Sequence, residues 1–281
     1  ISIAMSNKDV SETVHALNPA HMPYLFPEVF LRNNPGFDVL IGNPPWEKLH
    51  VEEHQWWGLH IPGLRGMQQG KRNQYLAEFK NSRPDLMAEY ERDVSNVDNM
   101  RSVIAKGPYL GLGAAHLDLF QAFSWRNWQL LNATGRAGLV LPRGALSGSS
   151  LQIWREEIMR NGKFIDVCFL INSSGWIFEG VHQQYSIGLT VFSKSSDHTV
   201  SFSGPFTSAK ELVTGRDELV TVSGEEFTSW SETAAFPLLP DSISEKLFLK
   251  MRKNPRFDAK RPGFEYRAIQ GDLNATTDKD V

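Results

Sequence analysis

The sequence predicts an α/β fold, and two patterns carry that prediction. Apolar runs typical of strands, at 37–41, 137–141, 164–171 and 185–193, alternate with polar and helical stretches, including a predicted helix at 150–161. The runs at 137–141 and 164–171 are also continuously apolar rather than alternating. Continuous runs are expected when helices cover both faces of a parallel sheet, so we predict a parallel sheet with helices on both sides.

Three of these strands are followed by short segments that could bind a ligand. The segments are Asn43–Trp46, Pro142–Gly144 and Ser173–Phe178. In open α/β sheets, ligands bind outside the carboxyl ends of the strands. The sequence therefore predicts one crevice that collects all three segments.

Composition narrows the possible functions. The chain has 281 residues, of which 41% are hydrophobic, so it can bury a substantial core. Cys168 is the single cysteine, so no internal disulfide can form and a reducing, cytoplasmic compartment is expected. No apolar run approaches the length of a membrane span, and no membrane partner is expected. The net charge of −3 indicates that contacts with nucleic acid would come from local basic patches.

The motif Asn43-Pro44-Pro45-Trp46 follows the first predicted strand and suggests a chemistry. The exocyclic amine of adenine is a poor nucleophile because its lone pair is delocalised into the ring. The side-chain carbonyl of Asn43 and the main-chain carbonyl of Pro44 could accept its two hydrogens and localise the lone pair. The two prolines make the turn rigid, since they fix φ and carry no N–H. Trp46 offers a flat face on which an extruded base gains about 1–3 kcal/mol by stacking. An ordinary Pro-Pro turn with a buried Trp is the alternative.

A long insertion separates Trp46 from the strand at 137–141. Its first part, 62–73, is Gly-rich and basic and predicts a mobile loop. Arg65, Lys71 and Arg72 in this loop could contact DNA phosphates, with a solvated surface loop as the alternative. Beyond it, Ser82 is predicted to cap a helix that has Pro84 in its first turn. An apolar stripe on that helix predicts packing, and consists of Leu86, Met87, Tyr90, Val94 and Val97.

Several segments, taken in order, resemble the N6-adenine DNA methyltransferases of type IIG restriction-modification and related phage-defence systems. They are Leu25–Phe30, Phe37–Trp46, Asp118–Phe123, Gly138–Pro142, Gly175–Phe178 and, more weakly, Gly271–Asp278. The likeness covers residues 24–194 well, and only the Asn-Pro-Pro-Trp motif is specific by itself.

The resemblance implies methylation of adenine N6 in double-stranded DNA, with S-adenosylmethionine as the methyl donor and the adenine flipped out of the duplex. The residues that it implies are Asn43, Pro44, Pro45 and Trp46 for catalysis, Trp46 and Phe178 for clamping the adenine, and Asn43, Asp118 and Phe120 for the cofactor.

The resemblance also implies a domain organisation. The fold would be the C-terminal half of a Rossmann-like class I methyltransferase sheet, followed by the start of a second, smaller region. In this interpretation residues 1–23 are a linker or the end of a preceding element. The catalytic region then spans 24–196, and a target-recognition region begins in 197–281.

The chain departs from the family in one respect. The family holds the amino-acid end of S-adenosylmethionine with an upstream strand and a Phe-x-Gly-x-Gly turn, which residues 1–36 lack. Either that half of the site precedes Ile1, or the order is permuted and Tyr109–Gly113 is the glycine turn. Lys106–Pro108 makes a poor strand, which favours the first explanation. We therefore expect the remainder of the polypeptide, with a possible nuclease, as a partner, and poor cofactor binding by the isolated chain.

Three other interpretations stay open. His50, Glu53 and His54 have the H-x-x-E-H spacing of a zinc peptidase, but no third ligand is identifiable by spacing and no metal site is predicted. A protein glutamine amide presents a planar NH₂ group similar to that of adenine, so glutamine methylation is an alternative activity. The missing glycine motif also allows a catalytically silent DNA-binding or assembly module. A basic cluster at 250–261 could contact a DNA backbone, with a solvated helix end as the favoured alternative.

Overall fold

The computed structural model describes residues 7–17, 20–113, 117–180, 182, 185–195, 197–239, 242–255 and 263. The chain divides into two compact units, Ile1–Leu238 and Leu239–Val281. All the strands found within the described ranges belong to the first unit.

A mixed six-stranded sheet forms the centre of the first unit. Its strands are β1 (Phe37–Gly42), β2 (Leu131–Pro142), β3 (Lys163–Ile171), β4 (Ser186–Ser193), β5 (Thr199–Phe206) and β6 (Val220–Ser223), in the spatial order β1-β2-β4-β3-β5-β6. The pairs β1–β2 and β3–β5 are parallel, whereas β2–β4, β3–β4 and β5–β6 are antiparallel.

The α/β prediction is confirmed, but the prediction of a parallel sheet is wrong. β4 lies between β2 and β3 and is antiparallel to both. Continuous apolar runs report burial on both faces of a sheet and carry no information about strand direction, so a buried antiparallel strand has the same sequence pattern. β1, β2, β3 and β5 nevertheless run in one direction, so their carboxyl ends share one edge of the sheet.

The helices in chain order are α1 (Lys8–Leu17), α2 (Met22–Leu25), α3 (Pro27–Phe30), α4 (Glu53–His60), α5 (Gln69–Ser82), α6 (Pro84–Lys106), α7 (Leu119–Leu130), α8 (Arg143–Ser147), α9 (Gln152–Asn161), α10 (Ala209–Gly215), α11 (Gly224–Ser229) and α12 (Ser242–Arg252). Serine side chains cap α10 and α11, where Ser208 and Ser223 accept hydrogen bonds from the backbone N–H groups of Glu211 and Glu226. α12 belongs to the second unit.

An aromatic core joins the helices to the sheet. Trp154 of α9 meets Phe164 of β3 and Phe192 of β4 edge to face, with ring centroids 5.8 and 5.4 Å apart. The indole N–H of Trp154 donates to the carbonyl oxygen of Ser124 in α7 at 3.0 Å, so the buried nitrogen is satisfied. Gly188 of β4 allows α8 to approach the sheet closely, since a Cβ there would lie 2.3 Å from Leu146 Cδ1.

Arg155 of α9 is fully buried and ties separate segments together. Its guanidinium donates to the carbonyl oxygens of Ala145, Gly148, Thr233 and Ala234 at 2.6–2.9 Å. Burial lowers the pKa of Arg155 to about 10, which leaves the group charged at neutral pH. The Arg155 guanidinium therefore holds the turn after α8 against the segment that follows α11.

The insertion between β1 and β2 contains a small helical core of its own. Its buried residues are Trp57, Ile61, Leu64 and Leu76, and the stripe residues Leu86, Met87 and Tyr90 of α6 pack against them. The predicted packing role of these three stripe residues is confirmed. Lys80 pairs with Glu53 and lies 5.7 Å above the ring of Trp57.

Two local predictions in this insertion are wrong. Residues 62–73 are not a loop throughout, because a 3₁₀ turn covers Leu64–Gly66 and α5 begins at Gln69. The Gly-rich composition conceals Leu64, which is 1% exposed and anchors the segment. Ser82 is the last residue of α5 and donates to the Phe79 carbonyl, so Arg83 precedes α6 as its N-cap.

β5 and β6 lie at one end of the sheet, and β1 lies at the other. β5 and β6 come from residues that the sequence analysis placed after the catalytic region, yet they continue the sheet, and the first unit extends to Leu238. β1 is an edge strand in which Val39 is 59% and Ile41 is 85% exposed. Exposed apolar residues on a sheet edge are a surface that proteins normally cover.

No helix within the described ranges is long and apolar enough to cross a membrane.

Replacement of Arg155 by Ala is expected to lower the free energy of unfolding by about 3 kcal/mol or more, because four carbonyl oxygens, two buried and two part-buried, lose charged donors. Urea denaturation measures the difference. Arg160→Ala, an exposed position on the same helix, serves as the control and should change stability by about 0.5 kcal/mol at most. Equal small losses for both variants would contradict the role assigned to Arg155.

Candidate functional site

Four chain segments meet at the edge where β1, β2 and β3 end and β4 begins. The register pairs Pro142 with Ile187 and Ile171 with Ser186, which brings the ends of β2 and β3 to the start of β4. The motif Asn43–Trp46 leaves β1 at the same edge, and Trp46 contacts residues of the other segments. The three segments predicted from the sequence to form one crevice therefore do share one edge.

The first half of the motif presents a polar group to solvent. Asn43 is exposed, whereas Pro44 is buried and anchors the turn. Within the described part of the chain, the Asn43 side chain has no hydrogen-bond partner. Its carbonyl oxygen is thus available to accept a hydrogen bond from a ligand.

Trp46 is held by contacts on several sides. Its indole N–H donates to the carbonyl oxygen of Val140 in β2 at 3.2 Å. Its ring stacks on Tyr185 with a centroid distance of 5.7 Å and an interplanar angle of 10°, and meets Phe178 at 6.2 Å and 87°. We call Trp46, Phe178 and Tyr185 the aromatic surface.

The two residues predicted to clamp a base touch each other. A purine lying flat between Trp46 and Phe178 would have to separate their rings. The open part of the aromatic surface lies elsewhere, since Tyr185 is 40% exposed. A planar group that contacts the exposed part of Tyr185 would therefore not need to separate Trp46 from Phe178.

A hydrophobic cluster packs against the aromatic surface. Cys168, Leu170, Ile187 and Phe206 are buried there, and Trp46 and Phe178 pack against them. Burial raises the pKa of the Cys168 thiol, so it stays protonated and unreactive at neutral pH.

The loop after β3 is organised by Asn172, which is fully buried. Its side-chain Oδ1 accepts from the N–H groups of Ile177 and Phe178 at 3.1 and 3.0 Å, and its Nδ2 donates to the Phe178 carbonyl at 3.0 Å. Its main-chain N–H donates to the Tyr185 carbonyl at 2.9 Å. One residue thus ties together two of the three aromatic residues.

The two remaining cofactor candidates lie on the segment that enters α7. The residues that follow Trp46 pair with this segment, since the Leu49 N–H donates to the Leu117 carbonyl and the Leu119 N–H to the Glu47 carbonyl. Asp118 is therefore close to the motif along the backbone. Phe120 is 5% exposed and packs inside the protein. The cofactor role of both residues stays a prediction.

The basic residues of the insertion are spread over two elements. Arg65 lines a cavity of about 590 Å³ beside the motif, together with Glu47, Lys48 and His50. Lys71 and Arg72 lie near the start of α5, where Lys71 is exposed. A role in DNA binding stays a prediction for all three.

Two of the H-x-x-E-H residues, His50 and Glu53, are engaged in other contacts. Glu53 pairs with Lys80, and His50 Nε2 lies 2.8 Å from a carboxylate oxygen of Glu52. Among the described residues, no group of three His, Cys, Asp or Glu side chains could hold a metal ion.

The glycine pattern Tyr109–Gly113 follows a helix. α6 ends at Lys106, and Gly111 adopts a left-handed conformation in the turn that comes after it. A glycine turn that cradles a nucleotide is expected between a strand and a helix. This pattern does not have that context.

Sequence reasoning missed Asn172 and Tyr185. A polar residue directly after the apolar run 164–171 was the available signal for the first, and an aromatic at the start of the next strand for the second. The resemblance at Gly271–Asp278 and the basic residues Arg256, Lys260 and Arg261 lie outside the described residues.

No family model matches the chain, and no curated protein matches it. Among solved structures it is similar to a modification subunit assigned to a type I restriction enzyme of Vibrio vulnificus YJ016, with 13% identity, a TM-score of 0.40, and coverage of 72% of this chain and 37% of that one. It is similar to the M protein of the type I restriction enzyme EcoKI, with 14% identity, a TM-score of 0.31, and coverage of 47% and 42%. The ATP-dependent type ISP restriction-modification enzyme LlaBIII, in a structure bound to DNA, shows 11% identity, a TM-score of 0.39, and coverage of 75% and 13%. The chain spans less than half of each of these proteins, and likenesses of this size do not show a shared activity.

Replacing Asn43 by Ala is expected to change the free energy of unfolding by no more than about 0.5 kcal/mol, because an exposed side chain without a partner contributes little. Replacing Trp46 by Ala should cost about 3 kcal/mol, since it removes a large aromatic from its ring contacts and its hydrogen bond. Chemical denaturation of both variants checks this difference. A large loss for Asn43→Ala would mean that Asn43 supports the fold.

Proposed function

We propose that this chain is part of a DNA adenine-N6 methyltransferase of the restriction-modification or phage-defence class. The observation that carries the proposal is the exposed Asn43 side chain, which has no hydrogen-bond partner within the described residues and leaves a strand at the carboxyl edge of the sheet beside an aromatic surface. A free amide oxygen next to stacked rings suits a planar group that carries an NH₂.

Asn43 and Pro44 would act on the amine of the substrate. The Asn43 side-chain carbonyl accepts one amino hydrogen and the Pro44 main-chain carbonyl accepts the other, which draws the nitrogen toward tetrahedral geometry. No strong base is needed, because the methylated amine is cationic and loses a proton readily. Pro45 keeps the turn rigid, and the aromatic surface holds the ring of the flipped base.

The described residues make only part of a site for S-adenosylmethionine, which supplies an electrophilic methyl group when bound. Asn43 in the motif and Asp118 near it could contribute to this site. Phe120 is buried, and the glycine turn considered for the cofactor, Tyr109–Gly113, follows a helix. The exposed edge of β1, with Val39 and Ile41, is where a further segment of the polypeptide would continue the sheet. We propose that this segment completes the cofactor site.

Double-stranded DNA is the proposed substrate, and basic residues of the insertion would contact it. Arg65 lies beside the motif, and Lys71 and Arg72 follow on α5. We place the beginning of the target-recognition region in the second unit, Leu239–Val281, because β5 and β6 belong to the sheet of the first unit.

In the intact protein, Asn43→Ala should reduce methyl incorporation into DNA by at least about 100-fold, because the amine loses an acceptor that acts in the transition state. Incubation with radiolabelled S-adenosylmethionine and double-stranded DNA, followed by mass spectrometry of the nucleosides, measures N6-methyladenine. Asn99→Ala on α6, an exposed position away from the motif, is the matched control and should keep full activity. N6-methyladenine formed equally by the Asn43 variant would refute the assignment, and methylated glutamine in place of methylated DNA would favour the alternative substrate.

The isolated chain is expected to bind S-adenosylmethionine poorly, because its sequence lacks the Phe-x-Gly-x-Gly motif that holds the amino-acid end of the cofactor in the family it resembles. Isothermal titration calorimetry at micromolar chain concentration should therefore show no binding. Micromolar affinity would instead support a permuted order of the cofactor motifs, with the turn at Tyr109–Gly113.

A further inference from the structure

The aromatic surface depends on one buried amide. Asn172 is fully buried at the end of β3, and its side chain makes three hydrogen bonds to the backbone of Ile177 and Phe178. An amide supplies both the donor and the acceptors that this loop needs. A carboxylate would place a negative charge against the Phe178 carbonyl, and an alanine would remove the partners of three part-buried backbone groups.

Two routes connect Asn172 to Trp46. The side-chain amide fixes the backbone of Phe178, whose ring meets Trp46 edge to face. The main-chain N–H of Asn172 binds the carbonyl oxygen of Tyr185, whose ring stacks on Trp46. On its other side, Trp46 is held by the Val140 carbonyl of β2. Both rings that determine the position of Trp46 are thus placed by one residue.

Tyr185 is the most exposed of the three residues of the aromatic surface. One face of its ring is nearly parallel to Trp46, at 10°, and the side chain is 40% exposed. A planar group that stacks on Tyr185 extends an existing two-ring stack, which is a favourable arrangement for an aromatic base.

We propose that Asn172 is a positioning residue that sets the geometry of the aromatic surface, and that Tyr185 is the residue of that surface on which the planar group of the substrate stacks. The proposal rests on the proposed function, which supplies the substrate. It adds two residues outside the Asn-Pro-Pro-Trp motif.

The chain contains a matched control for Asn172. Asn132 is 1% exposed and lies in the first residues of β2, at the opposite edge of the sheet. Its side chain also makes three hydrogen bonds, one to Asp38 and two from Thr134. Alanine at either position removes a buried amide that bonds neighbouring residues, but only Asn172 bonds the loop of the aromatic surface.

The first test follows the indole N–H of Trp46 by two-dimensional ¹H–¹⁵N NMR of the full chain, with the signal assigned through Trp46→Phe. Asn172→Ala should shift this signal, because it releases Phe178 and the loop from their positions against Trp46. Asn132→Ala should lower the melting temperature to a similar extent and leave the signal in place. Equal indole positions in the two variants would overturn the positioning role, whatever the substrate is.

The second test titrates the same samples with a short single-stranded oligodeoxyadenylate. The wild-type chain and Asn132→Ala should show a shift of the Trp46 indole with the same dissociation constant. Tyr185→Ala and Asn172→Ala should bind about tenfold more weakly, which corresponds to about 1.4 kcal/mol of lost stacking. Wild-type affinity in Tyr185→Ala would overturn the assignment of Tyr185.

The two tests separate this proposal from the proposed function. If a glutamine-containing peptide shifts the indole and the oligonucleotide does not, DNA is the wrong substrate, while the effect of Asn172→Ala on the indole still decides the positioning role. If neither probe shifts the indole, the aromatic surface is not a binding site and the assignment of Tyr185 fails.

Discussion

The antiparallel placement of β4 between β2 and β3 is the constraint on which the candidate site depends. Because β4 pairs with both neighbours in the antiparallel sense, β2 and β3 run in the same direction and end together where β4 begins. β1 is parallel to β2, so the motif after β1 leaves the sheet at that same edge. Residues that are more than a hundred positions apart in the chain therefore meet around Trp46.

The site combines a rigid support with one available polar group. Pro44 is buried, Trp46 is bonded to the Val140 carbonyl, and Asn172 fixes the loop that carries Phe178. Asn43, by contrast, has an exposed side chain that forms no hydrogen bond with any of the described residues. Prearranged acceptors are effective in catalysis because they need no reorganisation as the reaction proceeds.

The strand that carries the motif lies at one end of the sheet. Arg155 and the aromatic residues of α9, β3 and β4 consolidate the centre of the first unit, and β5 and β6 extend it at the other end. Among the described strands, β1 pairs with β2 alone, and it exposes Val39 and Ile41. The motif directly follows this strand. A segment added along β1 would therefore lie next to Asn43, where the proposed reaction needs S-adenosylmethionine.

Periodicity and local chemistry in the sequence determined the α/β class, the approximate positions of four strands and of the helix at 152–161, and the motif at Asn43–Trp46. The sequence did not determine strand direction, since apolar runs indicate burial alone. The glycines of 62–73 also concealed the helical packing around Leu64. Only the tertiary structure decided that Trp46 and Phe178 contact each other, that Tyr185 stacks on Trp46 and that Asn172 ties the loop to β4. These are contacts between distant parts of the chain, and they depend on the order of strands in the sheet, which no local pattern encodes.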